Sequence, residues 1–187
     1  MKKEFTRQAM HIIGGIFFAA LFLILEVDAA IAMIAIIFSL GVLVSDAHKR
    51  WNGFPFLRSI LSGAERENEN EVPGKAAIEF TLGMLITAII FYNFGSTVLA
   101  GAALVLGIGD GVSTLAGKAF GKTKILGSRT LEGTAAGAIA AALALLPLFS
   151  PQAAIAAAVV GMLAEYLPLN DNYTIPIVAA AVLAIMA

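Results

Sequence analysis

Long apolar runs without strand-like alternation occupy residues 12–25, 29–44, 76–91, 96–108, 134–149, 151–167 and 175–187. Runs of this kind predict helices, and the Ala and Gly within them predict close helix packing. Most fall short of the roughly 20 residues that cross a hydrocarbon core, so several are expected to borrow flanking polar residues or to lie deep in a bundle. The alanine-rich stretches 135–146 and 153–160 are expected to pack most densely.

Composition turns this into a membrane reading. The chain is 59% hydrophobic and 13% charged, with a mean hydropathy of +0.90, against about 45–50% and about 25% in soluble domains. Its 187 residues leave hardly any room for a separate soluble domain, so residues 1–187 are read as a single integral membrane domain. The expected fold is an all-α polytopic bundle of about seven transmembrane helices. Lys2, Lys3 and Arg7 precede the first run with no small-residue cleavage site, so the first helix is expected to stay. There is no cysteine, hence no disulfide or thiolate chemistry, and two histidines leave little for a multi-His metal site. Any metal is expected to be a hard cation on oxygen ligands.

The distribution of charge matters more than its sum of −1, which gives no reason to expect a nucleic-acid partner. With seven spans, all 12 Lys and Arg fall on one side, and only Glu26 and Asp28 of the 13 acids fall on the other. The positive-inside rule then puts the N-terminus in the cytoplasm and the C-terminus outside. Trp51, Phe54 and Phe56 read as interfacial anchors, and Glu65, Glu67, Glu69 and Glu71 as a solvated acidic run.

Polar chemistry concentrates in cytoplasmic segments. Residues 107–133 hold Asp110, Glu132, seven glycines, and the cations Lys118, Lys122, Lys124 and Arg129. Glycine lets backbone N–H groups approach phosphate oxygens, lysine and arginine neutralise polyphosphate, and a carboxylate is needed for Mg²⁺. Neither a Walker A loop nor a full dinucleotide fingerprint is present. The plain alternative is a basic loop that obeys topology, with glycines as turn formers. Asp110 argues against that alternative, because it ends an apolar run where an ionisable group is costly. Glu165 poses the same problem in the sixth run. Asp171 or Asn172 could cap the last helix and Pro176 could start it. Arg7 and His11, four apart, share a helical face. Asp46 is either a partner for Lys49 or Arg50 or a member of the site.

Gly109-Asp110, Gly117-Lys118, Gly121-Lys122, Lys124 and the string Arg129-Thr130-Leu131-Glu132-Gly133 together resemble the signature of the polyprenol kinase family: dolichol kinases, phytol kinases and CTP-dependent diacylglycerol kinases. Asp171-Asn172 with Pro176 is similar to that family's C-terminal element, and Arg7-x-x-x-His11 to its N-terminal one. The chain is short and looks like a minimal prokaryotic or archaeal form. Arg129-Thr130 stands where relatives usually carry Lys-Ser or Lys-Thr, which keeps the charge and alters the geometry.

The resemblance implies transfer of the γ-phosphate of CTP, with Mg²⁺, to the hydroxyl of a membrane isoprenoid alcohol or diacylglycerol at the cytoplasmic face of the cell membrane. Such transfer is mostly positioning and charge neutralisation. Asp110 and Asp171 would hold the metal, and Glu132 or Glu165 would be a further ligand or the base. Gly109, Gly117, Lys118, Lys122, Lys124, Arg129, Thr130, Gly133 and Asn172 would bind nucleotide and phosphates. Arg7, His11 and Asp46 would lie on the side of the acceptor hydroxyl. A CTP:lipid-phosphate cytidylyltransferase is the alternative enzyme, but its Ser-x-x-Lys-Arg and Gly-His-Gly-Gly motifs are missing. A small transporter or lipid-binding protein is the alternative of another class; it leaves the clustering of acids and cations in the cytoplasmic segments unexplained.

Overall fold

The structure is a computed structural model that describes residues 2–51 and 73–186, with side chains for 4–50 and 73–186. The acidic run at residues 65–71, Phe54, Phe56 and the side chain of Trp51 lie outside the described residues. The helices in order are α1 (Lys2–Ile24), α2 (Val27–Trp51), α3 (Lys75–Ile90), α4 (Ser96–Leu104), α5 (Gly111–Phe120), α6 (Leu131–Leu145), α7 (Pro151–Leu163) and α8 (Asp171–Met186). A two-stranded hairpin, β1 (Lys124–Leu126) and β2 (Arg129–Thr130), separates α5 from α6. Each apolar run is found in helix, and three helical stretches are long and apolar enough to cross a membrane: Glu4–Ile24, Val27–Arg50 and Ser96–Phe120.

The third stretch departs from the expected boundary. The run at 96–108 was expected to end before Asp110, whereas α4 continues through a π-helical segment, Val105–Asp110, straight into α5. A π-bulge adds a residue to a turn and re-aims the side chains that follow, so Asp110 sits inside a continuous rod. The rod forms the centre of the bundle: 67% of its apolar window is buried, against 11% for α2 on the rim. Leu99, Val105 and Leu106 of the rod meet a core completed by Met84, Leu145, Met162, Ile175 and Leu183.

Local sequence sets the helix starts. Thr130 caps α6 by accepting from Gly133 N at 3.2 Å, and Ser150 caps α7 ahead of Pro151 at N1. Gly127 takes φ 58 in the hairpin turn, a left-handed conformation that suits glycine. Pro176 does not start α8, which begins at Asp171; the proline lies inside it and removes the N–H that the Asn172 carbonyl would receive. That carbonyl faces Gly83 of α3 so closely that a Cβ there would fall 1.9 Å from it.

Around the rod, α5 packs on α6, α6 on α7, α7 on α8, α8 on α3 and α3 on α2. Helix α1 lies against the rod, where Gly15 and Gly107 meet backbone to backbone: a Cβ on Gly15 would be 2.5 Å from Gly107 Cα. Although consecutive in sequence, α1 and α2 touch only slightly, and the space between α1, α2 and α3 stays open.

Candidate active site

The open space is a cavity of about 460 Å³. One end is charged and is lined by Arg7, His11, Asp110, Arg129, Asp171 and Asn172. The other is an apolar arm walled by Phe17, Phe18, Ile37 and Phe80. Residues from α1, the rod, the hairpin and the start of α8 therefore meet at one cavity, although they span 165 positions of sequence from Arg7 to Asn172.

Each charged group is held by a definite neighbour. The Gly15–Gly107 contact brings His11 over the π-segment, where its Nε2 stands 3.1 Å from Asp110 Oδ2, and the imidazole packs edge-on against Phe80. Arg129 donates from one guanidinium nitrogen to both oxygens of Asp171, at 2.6 and 2.7 Å. Glu4 pairs with Arg7, accepts from Gln8 at 2.9 Å and meets Lys118 Nζ at 2.6 Å, which ties the start of α1 to α5. Glu79 accepts from the Asn170 amide at 2.8 Å, and Asn170 Oδ1 in turn accepts from Asn172 N at 3.0 Å, fixing the turn that carries Asp171.

Other expected site residues lie elsewhere. Glu165 is 3% exposed, in the turn beyond α7. It accepts from the hydroxyls of Thr134 and, at 3.3 Å, Ser113, and it does not line the cavity. Burial pushes its carboxyl above the ordinary range; the Thr134 hydroxyl opposes that rise and the Asp110 charge adds to it. Glu132 accepts from the backbone N–H groups of Lys122 and Thr123 at 3.1 Å and so fastens the hairpin to α6. Lys122 and Lys124 are exposed on that hairpin, and Asp46 pairs with Arg50 at 2.9 Å on α2, outside the lining.

The glycines also differ from expectation. A Cβ on Gly133 would fall 2.6 Å from Ser113 O and 3.0 Å from Gly117 Cα, and one on Gly109 would fall 2.6 Å from Met162 Sδ. Their bare faces are filled by neighbouring helices, so close packing by itself requires glycine at Gly109 and Gly133. Thr130 spends its hydroxyl on the α6 cap.

Among the described residues no three His, Asp or Glu side chains gather at metal-binding distance. Asp110 and Asp171 nevertheless share one cavity, a donor set that fits a Mg²⁺ ion taking its remaining ligands from phosphate and water. Sequence reading misses Glu4, Gln8, Asn170 and the part Glu79 plays. Glu4 was legible from its i,i+3 and i,i+4 spacing to Arg7 and Gln8, and Glu79 from being a carboxylate within an apolar run. Comparison with family models, with curated proteins and with solved structures finds no match to this chain.

Proposed function

We propose that the protein is a CTP-dependent lipid-alcohol kinase of about seven transmembrane helices, with a cytoplasmic N-terminus and an outer C-terminus. It would phosphorylate a membrane isoprenoid alcohol of the dolichol, polyprenol, geranylgeraniol or phytol type, or diacylglycerol. The observation that carries this reading is the single cavity joining a charged end to an apolar arm. Phosphoryl transfer to a lipid needs cations and carboxylates within reach of an apolar channel. The slight contact between α1 and α2 leaves the arm a lateral route for a lipid tail. The choice of CTP rests on the resemblance of the Asp110 and Asp171 segments to polyprenol kinases.

Asp110 and Asp171 would hold Mg²⁺, which when bound neutralises phosphate charge. Arg129 would exchange part of its pairing with Asp171 for the β- and γ-phosphates, and Arg7 would face them from α1. His11, 3.1 Å from Asp110, would steady that carboxylate, and Asn172 would meet the nucleotide.

The test is incubation of the detergent-purified protein with Mg²⁺, γ-labelled CTP and a mixture of polyprenol, geranylgeraniol, phytol and diacylglycerol. Labelled lipid monophosphate with CDP as co-product is the expected result. Pyrophosphate release on adding a lipid phosphate points instead to a cytidylyltransferase, and no nucleotide turnover under either condition overturns both enzyme readings.

A further inference from the structure

We propose that Glu79 is the group that binds the acceptor hydroxyl and takes its proton. This rests on the kinase reading and adds a residue to it. The sequence offers Glu132 or Glu165 as base, but neither reaches the cavity: the first is spent on the hairpin amides, the second is enclosed by Ser113 and Thr134. Three described carboxylates do line it: Asp110, Asp171 and Glu79. Asp110 stands against His11 and Asp171 against Arg129, both at the charged end that suits metal and phosphates.

Glu79 differs in place and in partners. It lies on α3 next to Phe80 of the apolar arm, where the head of a lipid would meet the charged end. Its Oε2 accepts from the neutral Asn170 amide at 2.8 Å, which fixes the carboxylate, while Oε1 has a half-exposed Lys75 at 3.8 Å. A carboxylate held through one oxygen, with only a loose contact on the other, can accept a hydrogen bond from an alcohol. In the reaction the alcohol oxygen forms a bond to the γ-phosphorus and the bond from that phosphorus to the β-bridging oxygen breaks. The electron pair leaves with CDP, and the hydroxyl proton passes to Glu79.

The experiment uses the full chain with MgCTP and whichever of geranylgeraniol, phytol, polyprenol or dioleoylglycerol the unmodified protein phosphorylates. Glu79→Gln is expected to lower kcat roughly 100-fold with the KM for CTP unchanged, and Glu79→Asp to retain part of the rate. An acceptor fluorinated beside the carbinol carbon, whose hydroxyl is more acidic, should narrow the deficit of Glu79→Gln, because it needs less help from a base. A purely structural role in holding Asn170 predicts the same deficit for both acceptors. An unchanged kcat, a raised KM for CTP, or an equal deficit with the fluorinated acceptor overturns the assignment of Glu79. An unmodified protein inert toward every acceptor overturns the kinase reading instead.

Discussion

A carboxylate in an apolar chain is costly wherever it lies, so its location decides what it is for. Asp110 and Asp171 face a shared cavity, Glu132 faces backbone amides, and Glu165 faces hydroxyls in a closed interior. Asp110→Asn and Asp171→Asn are each expected to cut turnover on the order of 100- to 1,000-fold while the protein stays folded in the membrane. Glu132→Gln, which keeps an acceptor for the hairpin, should cost less than about 10-fold on the same scale. Labelled-CTP assays on purified variants check both, and a Glu132→Gln loss equal to that of Asp110→Asn would restore Glu132 to the chemistry. Glu165 gives a stability test. A carboxyl whose folded-state value lies above its unfolded one stabilises the fold fully below the unfolded value and loses that contribution as pH rises through the folded one. Glu165→Gln fixes the neutral form, so as pH rises above the ordinary carboxylate range the Tm of the unmodified protein should fall relative to the variant. The opposite trend would mean that the site favours the charged form, as a ligand or base requires.

At the scale of elements, adjacent glycines in α1 make opposite predictions. A Cβ on Gly15 meets Gly107 Cα at 2.5 Å and Ala103 O at 2.8 Å, both backbone, whereas one on Gly14 meets only the Phe80 ring at 3.7 Å. Gly15→Ala should push α1 off the rod, cost about 1–3 kcal/mol and separate His11 from Asp110, with activity falling alongside Tm. Gly14→Ala makes an ordinary contact and gains helix propensity of up to about 1 kcal/mol, so its Tm should hold or rise. Thermal unfolding in detergent distinguishes the two. The same pair shows what sequence conveys about elements. Helices were legible because apolar runs without alternation admit little else in a chain of this composition. The continuation of the rod past Asp110 was not, because a π-segment is a packing outcome: Gly107 and Gly109 read as loop formers until Gly15 and Met162 occupy the space beside them. Pro176 misled for the same reason, since the carbonyl it orphans lies against Gly83, which is distant in sequence. Asp110, Asp171, Arg7 and His11 were legible as candidates from residue type and place. Their meeting in one cavity depends on helix directions that periodicity does not encode.

For the whole molecule, alternating helix directions put the Lys2 end of α1, the Trp51 end of α2, the Lys75 end of α3, the Phe120 end of α5 and the start of α8 in corresponding positions. Arg7, His11, Glu79 and Asp171 line the cavity from these ends, while Asp110 reaches it from the π-segment and Arg129 from the hairpin. The opposite connections contain residues 25–26, the turn at Tyr92–Phe94, and the link from α6 to α7, none of which carries Lys or Arg. On the proposed function, charge asymmetry and site location agree on one expected orientation, with these ends toward the cytoplasm. The absence of cysteine makes this directly measurable, since any introduced thiol is the sole reactive one. Asn93 and Ser128 are exposed, in the Tyr92–Phe94 turn and at the hairpin tip. In intact cells a membrane-impermeant maleimide should label Asn93→Cys and spare Ser128→Cys, and both should label once the membrane is permeabilised. The inverse pattern would place the site outside, away from cytoplasmic CTP, and remove the physical basis for a nucleotide-dependent kinase. Labelling of both thiols in intact cells would mean that the helices between Asn93 and Ser128 do not cross the bilayer. The rod Ser96–Phe120 is the stretch in question, and its length and apolar character make spanning the expected result.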